Sequence, residues 1–419
     1  MLERTFVRTG VIARLRRSPL GPYLDTLATA LHHEGYAPSS IQRFLCAAEQ
    51  FAHWVHGQGY PVCAMDADLV HRYISGLPRY RSGNLPKAAQ GLGYLVRFLH
   101  DQGVTRPRQD GLSTSPLEQW LRAYDTHLDH VAGVALSTRQ TYGHLVRRFI
   151  TACFGAKTPD WPSVTAAMIT TFVSEEAARR QNAGRKLPAV AVRSFLRFLV
   201  FRGELRPGLE AAAPSPPQWK YASLPSRLTP EDIERVLAVY HDGTAISLRN
   251  RAMLFLLARL GLRAQDVVSL CFDDIDWAEG RFALPPGKSR RARTLPLPHD
   301  AGQAVVAYLQ GGRPQSENRH VFVRSRPPFR SLTSAAVWAI VRQAFTRAGI
   351  VVPPGVASHI FRHTVASQMV NRGASFKDVA DVLGHQSIET TGIYAKLELE
   401  ALAAVALPWG GGALCIPTF

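Results

Sequence analysis

The sequence has few of the features that mark secreted, membrane-bound or metal-stabilised proteins. Its five cysteines are odd in number and are never spaced as C-x-x-C, which argues against a disulfide framework or a zinc site. No apolar run is long enough to span a bilayer, and the N-terminus has no signal-peptide hydrophobic segment. We therefore expect a cytoplasmic protein that has no membrane partner.

Acidic residues are also scarce relative to basic ones, with 32 Asp and Glu against 49 Lys and Arg and a formal net charge of +17. Both halves of the chain have an excess of positive charge, since residues 1–205 carry +10 and residues 206–419 carry +7. Neutralisation of phosphates by Lys and Arg is the sequence-independent part of nucleic-acid binding. The charge distribution therefore indicates a polyanion that is contacted along the whole molecule, although solubility alone would also favour a net charge.

An internal repeat relates residues 37–104 to residues 135–205, with an offset of about 98 to 100. Each copy contains a helix start followed by an amphipathic helix, then a second helix, and then a helix that stops near Gly103 or Gly203. Chance similarity between amphipathic helices is the alternative explanation. We predict two related helical modules in tandem, over residues 1–110 and 111–205.

A Pro-rich stretch over 206–228 predicts a linker between domains. A further domain over 229–419 begins at Thr229-Pro230, a good N-cap followed by proline at the first helical position. Helical periodicity dominates this domain, with two short strand-like runs around a basic turn. The predicted elements are helices at Arg249–Leu260, Ser358–Arg372 and Phe376–Leu383, and strands at Arg281–Leu284 and Thr294–Leu297.

Four short motifs follow one another in this domain, and their order and spacing are more specific than any one of them. They are Gly261-Leu262-Arg263-Ala264-Gln265-Asp266, Gly287-Lys288, His359-Ile360-Phe361-Arg362-His363, and Leu383-Gly384-His385 with Tyr394 nine residues later. Over about 229–407 the sequence resembles the tyrosine recombinase (phage integrase) family. The resemblance implies a mainly α fold with a small β-sheet or hairpin, in which tandem helical core-binding (SAM-like) modules precede a catalytic domain.

Cutting a phosphodiester without a metal requires a nucleophile, cationic donors for the charge on the phosphate oxygens, and an acid for the leaving alcohol. The resemblance assigns Tyr394 as the nucleophile and Arg263, Arg362 and His385 as donors to the phosphate. It implies that no metal or nucleotide cofactor is needed, because the bond energy is kept in a phosphotyrosine.

The remaining roles follow from the same resemblance. Lys288, the only lysine between Lys220 and Lys377, would protonate the leaving 5′-oxygen. Pro285-Pro286 departs from the usual apolar strand of the family, so Arg290 and Arg291 are the fallback candidates for this acid. His359 would act as a base or as a hydrogen-bond partner of the tyrosine. Asp266 would orient the Arg263 guanidinium and is not expected to be catalytic.

Simpler readings exist for single residues. His359 and His363 have a spacing that can bind zinc, but the Glu of a metalloprotease and a third ligand are missing. Tyr394 alone would more often be a packed aromatic residue and Arg263 a surface charge, but their joint occurrence at the family's spacing favours the site.

The family resemblance also implies the partners. Double-stranded DNA would be gripped by four protomers, alone or with sister recombinases, and strands would be exchanged through a Holliday junction during integration or excision of a mobile element. The setting would be the nucleoid of a bacterial cell. Two alternatives are a type IB topoisomerase, which uses the same kind of site to relax supercoils, and a DNA-binding accessory protein without activity. The apolar segment that begins at Leu397 would dock on a neighbouring protomer or on its own domain.

Overall fold

The computed structural model describes residues 1–77, 85–105, 115–180, 182–215, 226–285, 292–353 and 357–384, without the side chains of 85–90, 182 and 183. Helices dominate these residues, and one three-stranded antiparallel sheet accompanies them, so the predicted fold class is confirmed. None of the described helices combines the length and the apolar content needed to cross a membrane. The chain divides into two compact units, residues 1–105 with 223–419, and residues 106–222.

The N-terminal part of the first unit is a bundle of helices with its own core. The helices are α1 (Leu2–Thr5), α2 (Thr9–Arg17), α3 (Gly21–His33), α4 (Pro38–Gly57), α5 (Ala67–Ser75) and α6 (Leu85–Asp101). The core lies between α4 and α6, where Leu45, Phe51 and Leu99 are fully buried. This bundle contacts the C-terminal part of the same unit, because Arg330 lies 3.9 Å from Glu34.

The second unit repeats this arrangement around a cluster of aromatic rings. Its helices are α7 (Pro116–His130), α8 (Leu136–Phe154), α9 (Ala166–Ala178) and α10 (Leu187–Phe201). The ring of Trp161 is 2% exposed and packs edge-on against Trp120, Phe154 and Phe195, with centroids 5.1–5.5 Å apart. Edge-to-face packing of this kind adds stability beyond the burial of area.

The internal repeat of the sequence is a repeat of structure. In both copies a long helix (α4 or α8) is followed by a one-turn 3-10 helix, a second helix (α5 or α9) and a third (α6 or α10). Gly103 and Gly203 follow the last helix of each copy with φ of 68° and 76°, a left-handed conformation that glycine adopts without strain. The buried residues of each copy form a separate cluster.

Part of the stretch that we predicted to be a linker packs on the second unit. Residues Leu209–Ala212 form a 3-10 helix, and Ala213 is 1% exposed. The Thr170 hydroxyl donates to the Ala212 carbonyl (3.0 Å), and Arg193 donates to the Ala213 carbonyl (2.6 Å). Tertiary contacts therefore order a Pro-rich segment that has little local preference for structure. Residues 216–225 lie outside the described part of the chain.

The C-terminal part of the first unit surrounds one central helix, α12. Its elements are α11 (Pro230–Leu237), α12 (Ala245–Leu260), α13 (Ala264–Ser269), β1 (Ile275–Asp276), β2 (Arg281–Leu284), β3 (Arg293–Pro296), α14 (His299–Gly311), α15 (Ser334–Arg347), α16 (Ala357–Asn371) and α17 (Phe376–Leu383). Thr229 caps α11 through the Asp232 N–H (3.1 Å), as its sequence predicts. Met253, Leu254 and Leu257 of α12 are fully buried.

Two details of this domain differ from the sequence-based expectations. The expected hairpin is a sheet in the order β1-β2-β3, because the two-residue strand β1 pairs through Ile275 with Phe282. So short a strand has no alternation that a sequence could reveal. Helix α16 begins at Ala357, one residue earlier than predicted, and Ser358 is buried inside it at 8% exposure.

We predict that Glu176→Ala destabilises the second unit. The Glu176 carboxylate is 1% exposed and is shared by Arg148, Arg179 and Arg180. Its removal leaves three cations without their common partner, so we expect a loss of about 3 kcal/mol in the free energy of unfolding, at the lower end of the cost of breaking a buried ion pair. Pulsed hydrogen exchange of the full-length chain in a urea series should show α8 and α9 losing protection at lower urea. Glu175→Ala, at an exposed neighbouring position, is the matched control; equal effects of the two changes would contradict this prediction.

The same cluster should make this stability depend on pH. Burial raises the pKa of Glu176. The hydrogen bond from Arg180 and the charges of Arg148, Arg180 and Arg179 lower this pKa by more than burial raises it, so the net shift is downward. A group whose folded-state pKa is lowered stabilises the fold above its unfolded pKa, and this contribution is lost as the pH falls through the folded value. The difference in urea midpoint between wild type and Glu176→Ala should therefore be full at neutral pH and should vanish in acid. A difference that persists in strong acid would show that packing, not charge, is responsible.

Candidate active site

The first element of the candidate site is the tight turn between α12 and α13. Gly261 ends α12 with φ +61°, and a Cβ at this position would lie 3.0 Å from Leu383 Cδ2 and 3.4 Å from the Cα of Arg362. Both the backbone angle and the lack of space therefore require glycine. Leu262 is buried after it, so that Arg263 stands immediately before the first turn of α13.

Arg263 is half-buried and points to the end of α17. Its Nη2 donates to the Gly384 carbonyl at 3.0 Å. Its backbone N–H donates to the carboxylate of Asp266, three residues later, at 3.2 Å, which closes the first turn of α13. We expected Asp266 to orient the guanidinium of Arg263, but in the structure the carboxylate contacts Arg263 through this backbone N–H.

Among the predicted site residues that the structure describes, Arg362 is the most buried, at 4% exposure. It extends from α16, and its Nη1 donates to the Gly261 carbonyl at 3.1 Å while its Nη2 donates to the Leu383 carbonyl. The two nitrogens thus join the end of α12 to the end of α17. The planar guanidinium suits this task, because it stays charged and offers several donors in a fixed geometry.

The two histidines of α16 have different environments. His359, one turn before Arg362, is exposed and therefore accessible to a ligand. Burial, together with the charges of His359 and Arg362, lowers the pKa of His363 to about 4. His363 is therefore neutral at neutral pH. Phe361, which stands where the family more often has Leu, is fully buried and stacks on Phe345 with centroids 5.4 Å apart.

Arg293, at the start of β3, is a residue of this site that the sequence reasoning missed. Its Nη2 donates to the Asp266 carboxylate at 2.6 Å, and its Nη1 donates to the Val382 carbonyl at 2.7 Å. Burial lowers the pKa of Arg293, against the opposing effect of the Asp266 charge. In the sequence it is one of several arginines after a basic turn, and only its three-dimensional contacts distinguish it from the others.

Three consecutive carbonyls at the end of α17 therefore each accept a hydrogen bond from a different arginine. Arg293 binds the carbonyl of Val382, Arg362 that of Leu383, and Arg263 that of Gly384. The last carbonyls of a helix have no partner within the helix and carry its partial negative charge, so cations are favoured there. The result is a cluster of three guanidinium groups gathered from three separate elements.

The other predicted site residues lie outside the part of the chain that the structure describes. They are Lys288, with its fallback candidates Arg290 and Arg291, and His385 and Tyr394. Lys288 belongs to the segment that connects β2 to β3, and His385 follows Gly384 directly. In the sequence each segment adjoins the arginine cluster at one end, since Arg293 comes after the first and Gly384 directly precedes the second.

The described side chains favour binding of an anion. Among them no group of three or more His, Cys, Asp and Glu residues is arranged to hold a metal ion. The cluster combines three guanidinium groups with one carboxylate, so its net charge is positive. A guanidinium has five N–H donors, so a contact with a carbonyl is compatible with a second contact to a phosphate oxygen.

Comparisons with known proteins identify related sequences. The phage integrase family profile matches residues 226–400. The putative integrase/recombinase y4rA of Sinorhizobium fredii is 35% identical over 404 residues, which cover 95% of this chain and 97% of that protein. Tyrosine recombinase XerD of Mycobacterium tuberculosis is 32% identical over 314 residues, covering 70% and 96%.

A solved structure shares the fold. The lambda integrase tetramer bound to a Holliday junction superposes with a TM-score of 0.51 at 19% identity, covering 66% of this chain and 76% of that one. The sequence relative that spans nearly the whole chain, the match of the family profile and the order of the motifs all lead to one assignment. The chain belongs to the phage integrase family and is a tyrosine recombinase, an enzyme that acts on DNA.

Proposed function

We propose that this chain cuts and rejoins two DNA sites through a 3′-phosphotyrosine on Tyr394 and a Holliday junction, to integrate or excise a mobile element. The observation that carries the proposal is the convergence of Arg263 and Arg362 on the end of α17. These two arginines are far apart in the sequence, yet they meet directly before the segment that contains His385 and Tyr394. A phosphate held by both guanidinium groups would lie beside that segment.

The cleavage step exchanges one phosphodiester for another. The Tyr394 phenolic oxygen attacks the phosphorus, the bond to the 5′-oxygen breaks, and the leaving oxygen takes a proton from Lys288. Arg263, Arg362 and His385 bind the non-bridging oxygens, where charge develops in the transition state. His359, exposed on α16, accepts the proton of the tyrosine or hydrogen-bonds to its oxygen.

The joining step is the reverse reaction with a new partner strand. A free 5′-hydroxyl attacks the phosphotyrosine and releases Tyr394, so each bond broken is replaced by one of the same kind. No nucleotide is therefore consumed, and the positive charge of the arginines takes the place that a metal ion has in other phosphoryl-transfer enzymes.

The tandem modules would supply most of the grip on the duplex. The repeat over 37–104 and 135–205 has a common order of helices and separate cores, and residues 1–205 carry +10 of the net charge. One module would bind the core site next to the catalytic domain over 229–419, and the other would extend the footprint. Lambda integrase is a tetramer in its complex with a Holliday junction. We infer that four protomers of this chain likewise assemble on two DNA sites, where each protomer cuts one of the four strands.

The first test of this function is Tyr394→Phe. The change removes only the phenolic oxygen, so the variant should bind DNA as the wild type does and should form no covalent adduct. The substrate is a nicked suicide duplex containing the sequence that the wild-type protein selects from a random pool, with EDTA present and no nucleotide. Mass spectrometry of the wild-type adduct should place the DNA on the peptide that contains Tyr394.

The control for this test is Tyr308→Phe, because Tyr308 lies in the same domain but is 1% exposed and should be dispensable for the adduct. An adduct on another residue would contradict the assignment of the nucleophile. A need for a metal ion would contradict the proposed chemistry. Efficient relaxation of plasmids that lack the selected site would favour a topoisomerase instead.

A second test concerns the acid. Lys288→Ala should cleave ordinary DNA poorly, by about 100-fold or more, in keeping with the usual contribution of a general acid. It should recover on a duplex with sulfur at the 5′-bridging position, because a thiolate is a much weaker base than an alkoxide and leaves without a proton. Arg290→Ala and Arg291→Ala are matched changes in the same turn. If the sulfur substrate restored cleavage by Arg290→Ala or Arg291→Ala but not by Lys288→Ala, the acid would be the arginine that was changed.

A third test concerns assembly through the C-terminal segment. We expect that removal of residues 397–419 leaves binding of one protomer to a single site unchanged but weakens pairing of two sites and cleavage together, because docking on a neighbour would couple each nucleophile to assembly. Gel-shift and sedimentation measurements with single and paired sites separate these effects. Normal four-protomer complexes of the truncated protein would show that the segment packs on its own domain.

A further inference from the structure

Arg293 connects parts of the site that are distant in sequence. Its guanidinium bridges the Asp266 carboxylate on α13 and the Val382 carbonyl on α17, at 2.6 and 2.7 Å. The side chains of Arg293 and Asp266 are only 10% and 16% exposed, so this ion pair is shielded from solvent. Through Asp266, which also accepts the backbone N–H of Arg263, the contact reaches the start of α13.

The sheet itself does not depend on the Arg293 side chain. Strand β3 is aligned on β2 by the backbone ladder, in which Leu295 faces Phe282 and Thr294 faces Ala283. The Arg293 side chain leaves the sheet and makes its two hydrogen bonds to other elements. Its contribution is therefore to the position of the α17 end, whereas β2 and β3 are held together by their backbone ladder.

The end of α17 is shaped to receive this guanidinium. Gly384 ends the helix with φ +63°, and a Cβ at this position would lie 3.0 Å from Arg293 Nη1 and 3.1 Å from its Cζ. Glycine thus lets the guanidinium lie close against the backbone from which His385 follows. The contact is made at the last residue before the segment that contains His385 and Tyr394.

We propose that Arg293 is a positioning residue for strand cleavage: it fixes the end of α17 against Asp266 and Arg263, and so sets where the segment containing His385 and Tyr394 leaves the core. The proposal rests on the function proposed above. Arg293 acts through the residues that touch the phosphate and need not touch DNA itself. Arginine is required because two acceptors on different helices are bound by two nitrogens of one planar group, a geometry that the single ammonium of lysine cannot reproduce.

The test compares Arg293→Met, Arg293→Lys and Arg281→Met in the full-length protein. Arg281 lies in the same sheet and pairs with Asp276 at 3.2 Å, but its side chain is 53% exposed, so Arg281→Met is matched in size and charge. Single-turnover cleavage of the suicide duplex at saturating protein should fall about 100-fold in Arg293→Met, the usual cost of a misplacement near 1 Å. The dissociation constant for the duplex should stay at the wild-type value, Arg293→Lys should lose activity to an intermediate degree, and Arg281→Met should cleave normally.

Two further measurements separate positioning from other roles. Sulfur at the 5′-bridging position should not restore Arg293→Met, whereas it restores Lys288→Ala, because the acid would still be present. Hydrogen exchange of residues 376–384 should become faster in Arg293→Met while that of α12 is unchanged. If Arg293→Met fails to fold, the same measurements on Arg293→Lys test the proposal, with a smaller loss of cleavage expected.

Several results would overturn the proposal. These are normal cleavage by Arg293→Met, a loss that only follows weaker DNA binding, full recovery on the sulfur substrate, or unchanged exchange at 376–384. The hydrogen-exchange measurement does not depend on catalysis, so it tests the role of Arg293 at α17 even if the wild-type protein forms no adduct. Absence of an adduct with the wild type would instead refute the proposed function.

Discussion

The arginine cluster of the candidate active site depends on the end of helix α17. The carbonyls of Val382, Leu383 and Gly384 have no partners within their helix, and each accepts a hydrogen bond from an arginine of another element. One short helix therefore fixes side chains from α13, β3 and α16 at the same time. A shift of this helix would disturb all three contacts together, which explains why it is capped at both ends and buries Val379 and Leu383 completely.

The charge balance of this cluster favours the binding of an anion. Three guanidinium groups lie around one carboxylate, that of Asp266, and the backbone carbonyls supply only partial negative charge. Like charges held close together cost free energy, and the cost is greatest where solvent is excluded, as around Arg362 and Arg293. An entering phosphate relieves this repulsion. In the proposed function, the same excess of positive charge that destabilises the free protein would favour bound DNA and, still more, a transition state with additional negative charge.

Sequence alone predicted the features that local chemistry determines. The cap at Thr229 and helix α17 with its glycine end follow from short-range patterns. What it could not predict depends on pairing between distant residues: the two-residue strand β1, the ordered 3-10 helix at Leu209–Ala212, and the contacts of Arg293. Arg293 in particular follows a turn rich in arginine, and nothing in its immediate neighbours indicates which of these arginines reaches α17.

The division of work between arginine and lysine follows from the same chemistry. Arg362 and Arg293 each hold two acceptors on separate elements, a task that needs a planar group with several donors and a charge that no protein environment removes. Because such a group holds its proton tightly under ordinary conditions, it is a poorer acid for a leaving alcohol than an ammonium group. An ammonium group can serve as this acid, since its pKa shifts readily with its surroundings. In a chain where 42 of 49 basic residues are arginine, a lysine between β2 and β3 is therefore the residue best suited to the one step that requires a proton to be given up.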